Sequence, residues 1–423
     1  MAPVPIARVL RIAATVAAGV ARYEGLRLRE RLGRTPTADE WEQAHDRTAA
    51  ALHDLGVRLA GLFVKVCQVV GARADVFPAP FIRRLGRFHD RVPPRPFATL
   101  RPAIERELGQ PLDAVFASVD ETPLAAASLA QVHRATLRDG SVVAVKVQYP
   151  DIELLARIDL ASLRRTIRLV ARLEPRFDLR SIVEEIASFV WLELDFAREA
   201  DSTERVRAAF ADDPTVRVPR VYRALSTPRL LVLEYLDGIK VTDLDRLRPA
   251  GVDLAEVAAR VGRLYGRMIF EQGFFHGDPH PGNLLVLPGT VIGLLDFGLA
   301  KELPAGFAAS IATMLARGLA GDGPGALAAA RVAGFEISDD DPSASAALPL
   351  MVLALMGQQA GDVDVADLLA RMPVAHVPRD FGLIARVMLL LNGLSHTLAP
   401  GERLIQRALM ERISPAAAAG ASE

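Results

Sequence analysis

An eight-residue block rich in histidine, glycine and proline constrains this chain most. It reads His276-Gly277-Asp278-Pro279-His280-Pro281-Gly282-Asn283, and an Asp-Phe-Gly triplet begins thirteen residues later, at Asp296. The glycines and prolines favour a tight loop. Two apolar runs, 284–287 and 291–295, are separated by Pro288-Gly289 and predict a β-hairpin. Asn283 and Asp296 should therefore lie at the same end of one hairpin.

The residue types in these two motifs are those that phosphoryl transfer from ATP requires. Magnesium binds hard oxygen ligands at about 2.0–2.1 Å, and the amide of Asn283 and the carboxylate of Asp296 supply two such ligands. Asp278 stands where an acid would act as base or orient the attacking group. An isolated Asp-Phe-Gly usually marks only a strand and a turn. Both motifs at this spacing, however, predict a site for ATP and Mg2+.

A lysine upstream completes the pattern. The segment 142–148, Val-Val-Ala-Val-Lys-Val-Gln, is rich in β-branched residues and follows the turn signal Asp139-Gly140, so it predicts a strand that carries Lys146. A strand lysine in this pattern pairs with the α- and β-phosphates of ATP. The chain has 50 basic residues and only four of them are lysines, so Lys146 is retained against a strong arginine bias. Lys240 and Lys301 are better interpreted as surface charges.

The position of a glycine-rich phosphate loop is occupied by alanines. Residues 123–133 read Pro-Leu-Ala-Ala-Ala-Ser-Leu-Ala-Gln-Val-His, with Ala125, Ala126 and Ala127 where glycines would be expected. Alanine resists the positive φ angles that glycine accepts. We therefore expect a stiffer loop, to which Ser128 contributes a hydroxyl. Further along, the apolar run 230–235 predicts a buried strand whose end forms an adenine-binding hinge through the backbone of Glu234 and Leu236.

Taken together, these segments resemble the UbiB or AarF-type atypical kinases, the AarF domain-containing kinases. The resemblance is carried by the alanine loop, Lys146, the histidine-rich block and the segment from Glu193-Leu194-Asp195-Phe196 to Glu199. The stretch Lys65-Val66-Cys67-Gln68, which runs on through Arg73 and Asp75, is similar to the family's Lys-x-Gly-Gln signature. The resemblance covers roughly residues 55 to 400.

The resemblance implies roles for particular residues. Lys146 and Glu199 would form the ion pair that orients the phosphates, Asp278 would be the catalytic acid, and Asn283 and Asp296 would bind magnesium. Four further residues would gate the site as an N-terminal extension folds across it: Lys65, Gln68, Glu193 and Asp195.

One position departs from the family pattern. Cys67 replaces the glycine of the signature and is the only cysteine. It cannot form an intramolecular disulfide, and we expect it to be a small buried apolar residue.

The predicted fold class is α+β: a bilobed protein-kinase-like fold with a helical N-terminal extension and a helical C-terminal lobe. We expect the extension at 1–110, a small lobe of strands with inserted helices at 111–237, and a C-terminal lobe at 238–413. Residues 414–423 suggest a disordered tail. No Ala-Pro-Glu motif follows Asp296, and everything beyond Leu303 suggests helix. The missing activation segment disfavours a protein substrate.

Composition limits the partners. A net charge of −1 gives no case for nucleic acid. Apolar stretches such as 12–21 and 381–394 fall short of the roughly twenty residues that a spanning helix needs. The apolar segment 9–21 is followed by arginines, which allows a helix lying on anionic lipid, although an ordinary packed helix is favoured. We expect a cytoplasmic protein with peripheral contact at the inner face of the membrane.

Three functions remain open from the residues. The first is an atypical ATP-dependent kinase or ATPase that acts on a small molecule or lipid, which the family resemblance links to isoprenoid quinone metabolism. The second is a nucleotide-gated lipid-binding protein that transfers no phosphoryl group. The third is a phosphotransferase of the aminoglycoside or choline kinase type, which shares the His-Gly-Asp loop but predicts neither the alanine loop nor Lys65 and Gln68.

Overall fold

The computed structural model describes residues 6–72, 77–86, 93–173, 179–337, 351–352 and 374–420. The chain divides into two compact units. The first comprises Met1–Arg198 and Tyr222–Leu233, and the second comprises Glu199–Val221 and Glu234–Glu423. The predicted domain limits after residues 110, 237 and 413 remain a prediction, because these units combine non-contiguous segments.

The N-terminal part of the first unit is helical, as predicted. Its helices are α1 (Ile6–Arg31), α2 (Ala38–Leu59), α3 (Leu62–Ala72), α4 (Ala79–Leu85), α5 (Phe97–Leu108) and α6 (Leu112–Val115). A capping box between Thr37 and Glu40 begins α2. Arg8 forms a bidentate pair with the buried Asp159, at 2.6 Å from each carboxylate oxygen. Removing Arg8 would leave a buried charge uncompensated, at a cost of about 3–5 kcal/mol.

One sheet carries the predicted lysine strand. Its strands are β1 (Phe116–Val119), β2 (Ala125–Ala126), β3 (Ala130–Leu137), β4 (Val142–Gln148) and β6 (Leu230–Glu234). The order is β1-β3-β4-β6, with β2 paired to β3. On β4, Val143, Val145 and Val147 are buried, and Lys146 points to the other face because side chains alternate along a strand. The strand prediction for 142–148 is confirmed.

Three helices follow β4 in the chain, and the boundary between the two units falls within the last of them, after Arg198. They are α7 (Ile152–Leu173), α8 (Arg180–Glu193) and α9 (Phe196–Ala209). Gln148, at the end of β4, donates its side-chain amide to the carbonyl of Leu194 at 2.7 Å. This hydrogen bond fixes the short link between α8 and α9 beside the end of β4.

The second unit contains two small sheets next to its helices. The first sheet has the order β5-β10-β9-β7 and the second pairs β8 with β11. Their strands are β5 (Val216–Arg217), β7 (Ile239–Lys240), β8 (Phe274–His276), β9 (Leu284–Leu287), β10 (Val291–Leu294) and β11 (Ala300–Glu302). Strands β9 and β10 are antiparallel, with Leu284 opposite Leu294. The predicted hairpin is confirmed.

Helices form the core of the second unit. They are α10 (Leu244–Leu247), α11 (Leu254–Gly266), α12 (Phe307–Leu319), α13 (Gly323–Val332), α14 (Arg379–Leu398) and α15 (Leu404–Gly420). Two short strands, β12 (Glu336–Ile337) and β13 (Val374–His376), pair antiparallel. The prediction that everything beyond Leu303 is helical is therefore wrong at this pair. Strands of two and three residues are too short to show a hydrophobic period that a sequence pattern could reveal.

The structure differs from the sequence expectation at the C-terminal end. Helix α15 continues to Gly420, whereas a disordered tail was expected from Ser414. Residues 416–419 are alanines, and alanine has the highest helix propensity. Residues 421–423 lie outside the described part of the chain.

By length and composition alone, one helix among the described residues could cross a membrane. This helix is α14, and 44% of its apolar window is buried inside the protein. The prediction that no apolar stretch reaches spanning length is wrong, because the helix extends beyond the apolar run 381–394 at both ends. Its inward residues, among them Phe381, Ile384 and Val387, belong to the core of the second unit.

Candidate functional site

The histidine-rich loop is organised around the side chain of His276, which is only 1% exposed. Nδ1 of His276 lies 3.2 Å from the backbone nitrogen of Asp278, which donates to it. Nε2 lies 2.9 Å from the carbonyl oxygen of Leu295. Since Nδ1 accepts from a backbone N–H, the proton must be on Nε2, which donates to Leu295. One imidazole thus joins the loop to the end of the hairpin.

Aromatic residues surround this imidazole. The hydroxyl of Tyr265 is 3.3 Å from Nδ1 of His276, and the ring of Phe297 packs edge-on at a centroid distance of 5.4 Å. Burial raises the pKa of Tyr265 well above its usual value, and the negative charge of Asp278 raises it further. Tyr265 therefore stays a neutral hydrogen-bond donor across the physiological pH range.

The loop itself is closed by short backbone contacts. Nδ2 of Asn283 donates to the carbonyl oxygen of Asp278 at 3.1 Å, and the backbone nitrogen of His280 donates to the same oxygen at 2.7 Å. Nδ1 of His280 accepts from the backbone nitrogen of Gly282. These contacts place Asp278 and Asn283 at fixed positions on one turn.

The hairpin places the two predicted metal ligands at the same end of its paired strands. The backbone nitrogen of Leu295 donates to the carbonyl of Asn283 at 2.9 Å, so Asp296 follows directly after the residue opposite Asn283. A regular strand would turn Asn283 and Asp296 to opposite faces. Asp296 instead has a φ of +59°, which interrupts the strand alternation at this residue. Left-handed backbone at a non-glycine residue is uncommon and is concentrated at functional sites.

The donor set fits magnesium. Because Nδ2 of Asn283 is bound to Asp278, its Oδ1, the atom that would bind a cation, lies on the other side of the amide group. Among the described residues no group of three or more His, Cys, Asp or Glu side chains could hold a metal ion. Magnesium is usually held by one or two protein ligands together with phosphates and water. Asn283 and Asp296 match that requirement.

Glu199 lies beside the Asp-Phe-Gly triplet. It is 2% exposed, near the start of α9. A Cβ atom built on Gly298 would stand 3.6 Å from Oε2 of Glu199 and 3.3 Å from Oδ1 of Asp296. The two carboxylates thus border the same glycine within the second unit. Lys146 belongs to the first unit, and the predicted ion pair between Lys146 and Glu199 stays a prediction.

Within the first unit, the alanine loop and the lysine share one face of the sheet. Ala125 lies opposite Val132 on β3, and Val132 lies opposite Lys146 on β4. The three residues therefore form one row across neighbouring strands, which are about 4.8 Å apart. The ammonium of Lys146 also lies 5.1 Å from the ring centroid of Phe196. The structure thus brings the two predicted phosphate-binding elements together.

The turn of the alanine loop is a tight one. The backbone nitrogen of Ala127 donates to the carbonyl of Ala130 at 2.9 Å. Among the described residues that are not glycine, five have a positive φ, and Ala125, Ala126 and Ala127 are not among them. The three alanines of the loop therefore keep ordinary negative φ angles. Ser128, predicted to offer a hydroxyl, is buried at 6% exposure.

The predicted gating residues lie in the first unit. Nζ of Lys65 on α3 forms an ion pair with Oε1 of Glu193 at the end of α8. Oδ1 of Asp195 accepts from the backbone nitrogen of Arg198 at 3.1 Å, which caps the start of α9. Gln68 lies on α3 one turn after Lys65. Arg73 and Asp75 lie outside the described residues.

Cys67 on the same helix is fully buried, and burial raises the pKa of its thiol to about 12. This confirms the expected packing role.

The predicted hinge residues lie in the second unit. The backbone nitrogen of Glu234 donates to the carbonyl of Arg220 at 2.8 Å, and its carboxylate pairs with Arg217. Leu236 is 8% exposed. Glu234 and Leu236 border a cleft of about 650 Å³, which Asp278, Asn283 and Asp296 do not line. The adenine-binding role of these two residues stays a prediction.

A family model described as the ABC1 atypical kinase-like domain matches residues 87–328 of this chain. The chain is 39% identical over 270 residues to AarF domain-containing protein kinase 1 of Xenopus tropicalis, covering 63% of this chain and 52% of the relative. It is 37% identical over 269 residues to the Arabidopsis thaliana protein ACTIVITY OF BC1 COMPLEX KINASE 7, chloroplastic, covering 63% and 39%. The chain thus spans about half the length, or less, of these curated relatives.

Among solved structures, the chain is similar to one titled as the complex of Rv3197 with erythromycin from Mycobacterium tuberculosis. The TM-score is 0.58 and the sequence identity 26%, and the match covers 86% of this chain and 99% of that one. The likeness therefore extends over both compact units.

Proposed function

Because this chain belongs to the ABC1 atypical kinase-like family, we propose that it binds ATP with Mg2+ and either transfers the γ-phosphoryl group or hydrolyses ATP. The observation that carries the proposal is the loop around His276, which holds Asp278 and Asn283 in place and connects them through Leu295 to Asp296. Phosphoryl transfer demands positioning and charge neutralisation more than covalent chemistry. A rigid loop that carries these residue types supplies the positioning.

Each residue has a distinct task in this proposal. Asp278 orients the attacking hydroxyl or water and accepts its hydrogen bond, while Asn283 and Asp296 hold the cation. Magnesium bound there would neutralise charge on the phosphate oxygens. Lys146 and the backbone of the alanine loop, Ala125 to Ser128, bind the phosphates. Glu234 and Leu236 bind adenine through their backbone.

The assignment is tested by nucleotide binding and turnover with matched variants. We expect Asp296→Asn to remove Mg2+-dependent ATP binding, because a neutral amide replaces the anionic ligand, while Asp278→Asn binds ATP but keeps only a small residual turnover. Asp322→Asn is the control, since this carboxylate only pairs with Arg317 and caps α13. Unchanged Mg2+-dependent ATP affinity in Asp296→Asn would overturn the metal assignment.

A second candidate is a nucleotide-gated protein that binds an apolar molecule without phosphoryl transfer. It is favoured by the structural neighbour Rv3197 of Mycobacterium tuberculosis, which was solved as a complex with erythromycin. Phosphate release separates the two functions. Release that disappears in Asp278→Asn supports the enzyme, whereas ATP binding with no release under any lipid condition supports the binding protein.

For the acceptor we propose a small molecule or lipid, with the isoprenoid quinones suggested by the family resemblance. Contact of α1 with a membrane surface is supported by three outward apolar residues on the helix, Ile6, Leu10 and Leu28, and by Leu32 directly after it, all more than half exposed. The nearby arginines support it less, because Arg27 and Arg29 pair with Glu24 and Glu40. A protein in the cytoplasm could use this face at the inner side of the membrane.

This surface contact has a direct test. Sedimentation with anionic phosphatidylglycerol vesicles should carry down the protein, and Leu10→Ser with Leu28→Ser should reduce the bound fraction. Binding that is unchanged in this double variant would argue against the α1 face.

A further inference from the structure

An arginine outside every sequence motif reaches the catalytic loop. Arg386 lies in the second turn of α14, and its Nη2 is 3.5 Å from Oδ1 of Asp278. The two residues are 108 positions apart in the sequence. The side chain of Arg386 is 43% exposed and that of Asp278 is 29% exposed. A guanidinium therefore stands at the accessible side of the proposed catalytic acid.

Helix α14 is anchored to the segment that carries this acid. Leu383, about one turn before Arg386, lies against the loop. Both of its Cδ atoms are 3.5 Å from a Cβ built on Gly277. Oδ1 of Asp380 pairs with Nζ of Lys301 at 3.0 Å. Lys301 lies on β11, which pairs with β8, and β8 ends at His276. Asp380 thus contacts the sheet that leads into the loop, while Leu383 and Arg386 contact the loop itself.

Packing fixes the same helix from its other side. Phe381 is 3% exposed and its ring lies 4.8 Å from that of Phe335 at a steep angle. Side chains on a packed helix are held more accurately than side chains on a loop. The position of Arg386 relative to Asp278 is therefore set by the fold and not by a local turn.

The ion pair between Arg386 and Asp278 contributes little to the stability of the fold. A half-exposed ion pair at this distance contributes about 0–1 kcal/mol, and 3.5 Å is at the outer limit of hydrogen-bond length. The negative charge of Asp278 nevertheless acts on a buried group, since it raises the pKa of Tyr265. What the contact can do is restrict the carboxylate, because Oδ1 faces the guanidinium and Oδ2 is the oxygen left for a substrate.

We propose that Arg386 is a positioning residue for phosphoryl transfer that acts through Asp278. It holds Oδ1 so that the other carboxylate oxygen orients the attacking hydroxyl or water. This inference rests on the proposed ATP-dependent function of the same site. In this proposal, helix α14 supplies a residue that positions the catalytic acid, although α14 contains none of the sequence motifs.

A double-mutant cycle tests the inference. We expect Arg386→Gln to lower kcat about tenfold, within the range of measured couplings between contacting residues, and to leave the KM for ATP within about twofold. Arg386→Lys should restore part of the loss, because a cation remains near Oδ1. In the Asp278→Asn background, Arg386→Gln should have little further effect. The control is Arg412→Gln, which breaks a comparable pair with Glu271 at 2.9 Å, 38% exposed on both sides.

The outcomes separate the two levels of the proposal. If wild-type protein neither binds Mg2+ and ATP nor releases phosphate, the proposed function fails and this inference fails with it. If the wild type turns over and Arg386→Gln matches Arg412→Gln, only the inference fails. Fully additive losses in the cycle, or a rise in KM at constant kcat, would also overturn it, since either result means that Arg386 does not act through Asp278. Thermal unfolding of each variant confirms that it is folded.

Discussion

The catalytic loop of the second unit and the alanine loop of the first are held by different means. In the catalytic loop, a buried imidazole binds two backbone groups on different segments, the nitrogen of Asp278 and the carbonyl of Leu295. In the alanine loop, the pairing of β2 with β3 and the turn from Ala127 to Ala130 hold the chain. One loop depends on a few specific side chains. The other depends on backbone pairing that many residues would permit.

This difference matches the chemistry proposed for each loop. A catalytic acid and two cation ligands must be placed to within about half an ångström, which specific hydrogen bonds achieve. Backbone N–H groups that receive a phosphate need only a stiff turn, and alanines with ordinary φ angles supply it. The comparison predicts that a mutation in the catalytic loop lowers stability and turnover more than a mutation in the alanine loop.

Loss of the central imidazole should have the largest effect. We expect His276→Ala to destabilise the protein by about 2–4 kcal/mol, because buried hydrogen-bonding groups lose their partner and a cavity remains. Turnover should fall about a hundredfold as Asp278 shifts. Denaturant unfolding and phosphate release measure both effects.

The matched control for this change lies in the same loop. His280 is partly exposed, and its ring accepts only from the nitrogen of Gly282. His280→Ala should cost about 1 kcal/mol or less, as expected for a lost cap. If the two histidines had equal effects, the catalytic loop would not be organised around His276.

The alanine loop should be less sensitive. We expect Ala127→Gly to cost about 0.5–1 kcal/mol, since glycine loses more conformational freedom on folding, and to speed hydrogen exchange at the amide of residue 127. Ala117→Gly on β1, an exposed position of the same sheet, is the control for a general strand effect. Faster exchange at residue 127 in the control variant as well would mean that the whole sheet, and not this turn, had loosened.

Whether a feature was predictable from the sequence depends on how far apart its residues are along the chain. The hairpin that follows Asn283 and the strand of Lys146 are local patterns of apolar period and turn residues, so the sequence predicted their bounds to within a residue. The contact of Arg386 with Asp278 joins positions 108 residues apart. In a chain so rich in arginine, no local signal distinguishes that one. The left-handed φ of Asp296 was equally hidden, because it arises from the hydrogen bonds around the strand end.

A buried network in the first unit provides the counterpart to His276. His133 on β3 is 0% exposed; its Nδ1 lies 2.8 Å from the carbonyl of Asp120 and its Nε2 lies 2.8 Å from Nε2 of Gln131. Nδ1 therefore carries the proton, and Nε2 accepts from the amide of Gln131. The same Gln131 binds the backbone of Arg95 through both its oxygen and its nitrogen. The network fixes the start of α5 against the sheet of the alanine loop.

The smallest expected effect is a pH dependence of stability from this network. Burial lowers the pKa of His133 below its usual 6.5. A histidine with a depressed pKa in the folded state stabilises the fold fully above pH 6.5, and the contribution is lost as the pH falls, because the unfolded chain then binds the extra proton. The free energy of unfolding should therefore decline below pH 6.5, and His133→Gln should reduce the slope even if it lowers stability overall. A slope equal to that of the wild type would mean that other groups, such as His45, whose pKa is also lowered by burial, carry the dependence. In that case only His276 would control the properties of its surrounding network, and His133 would not.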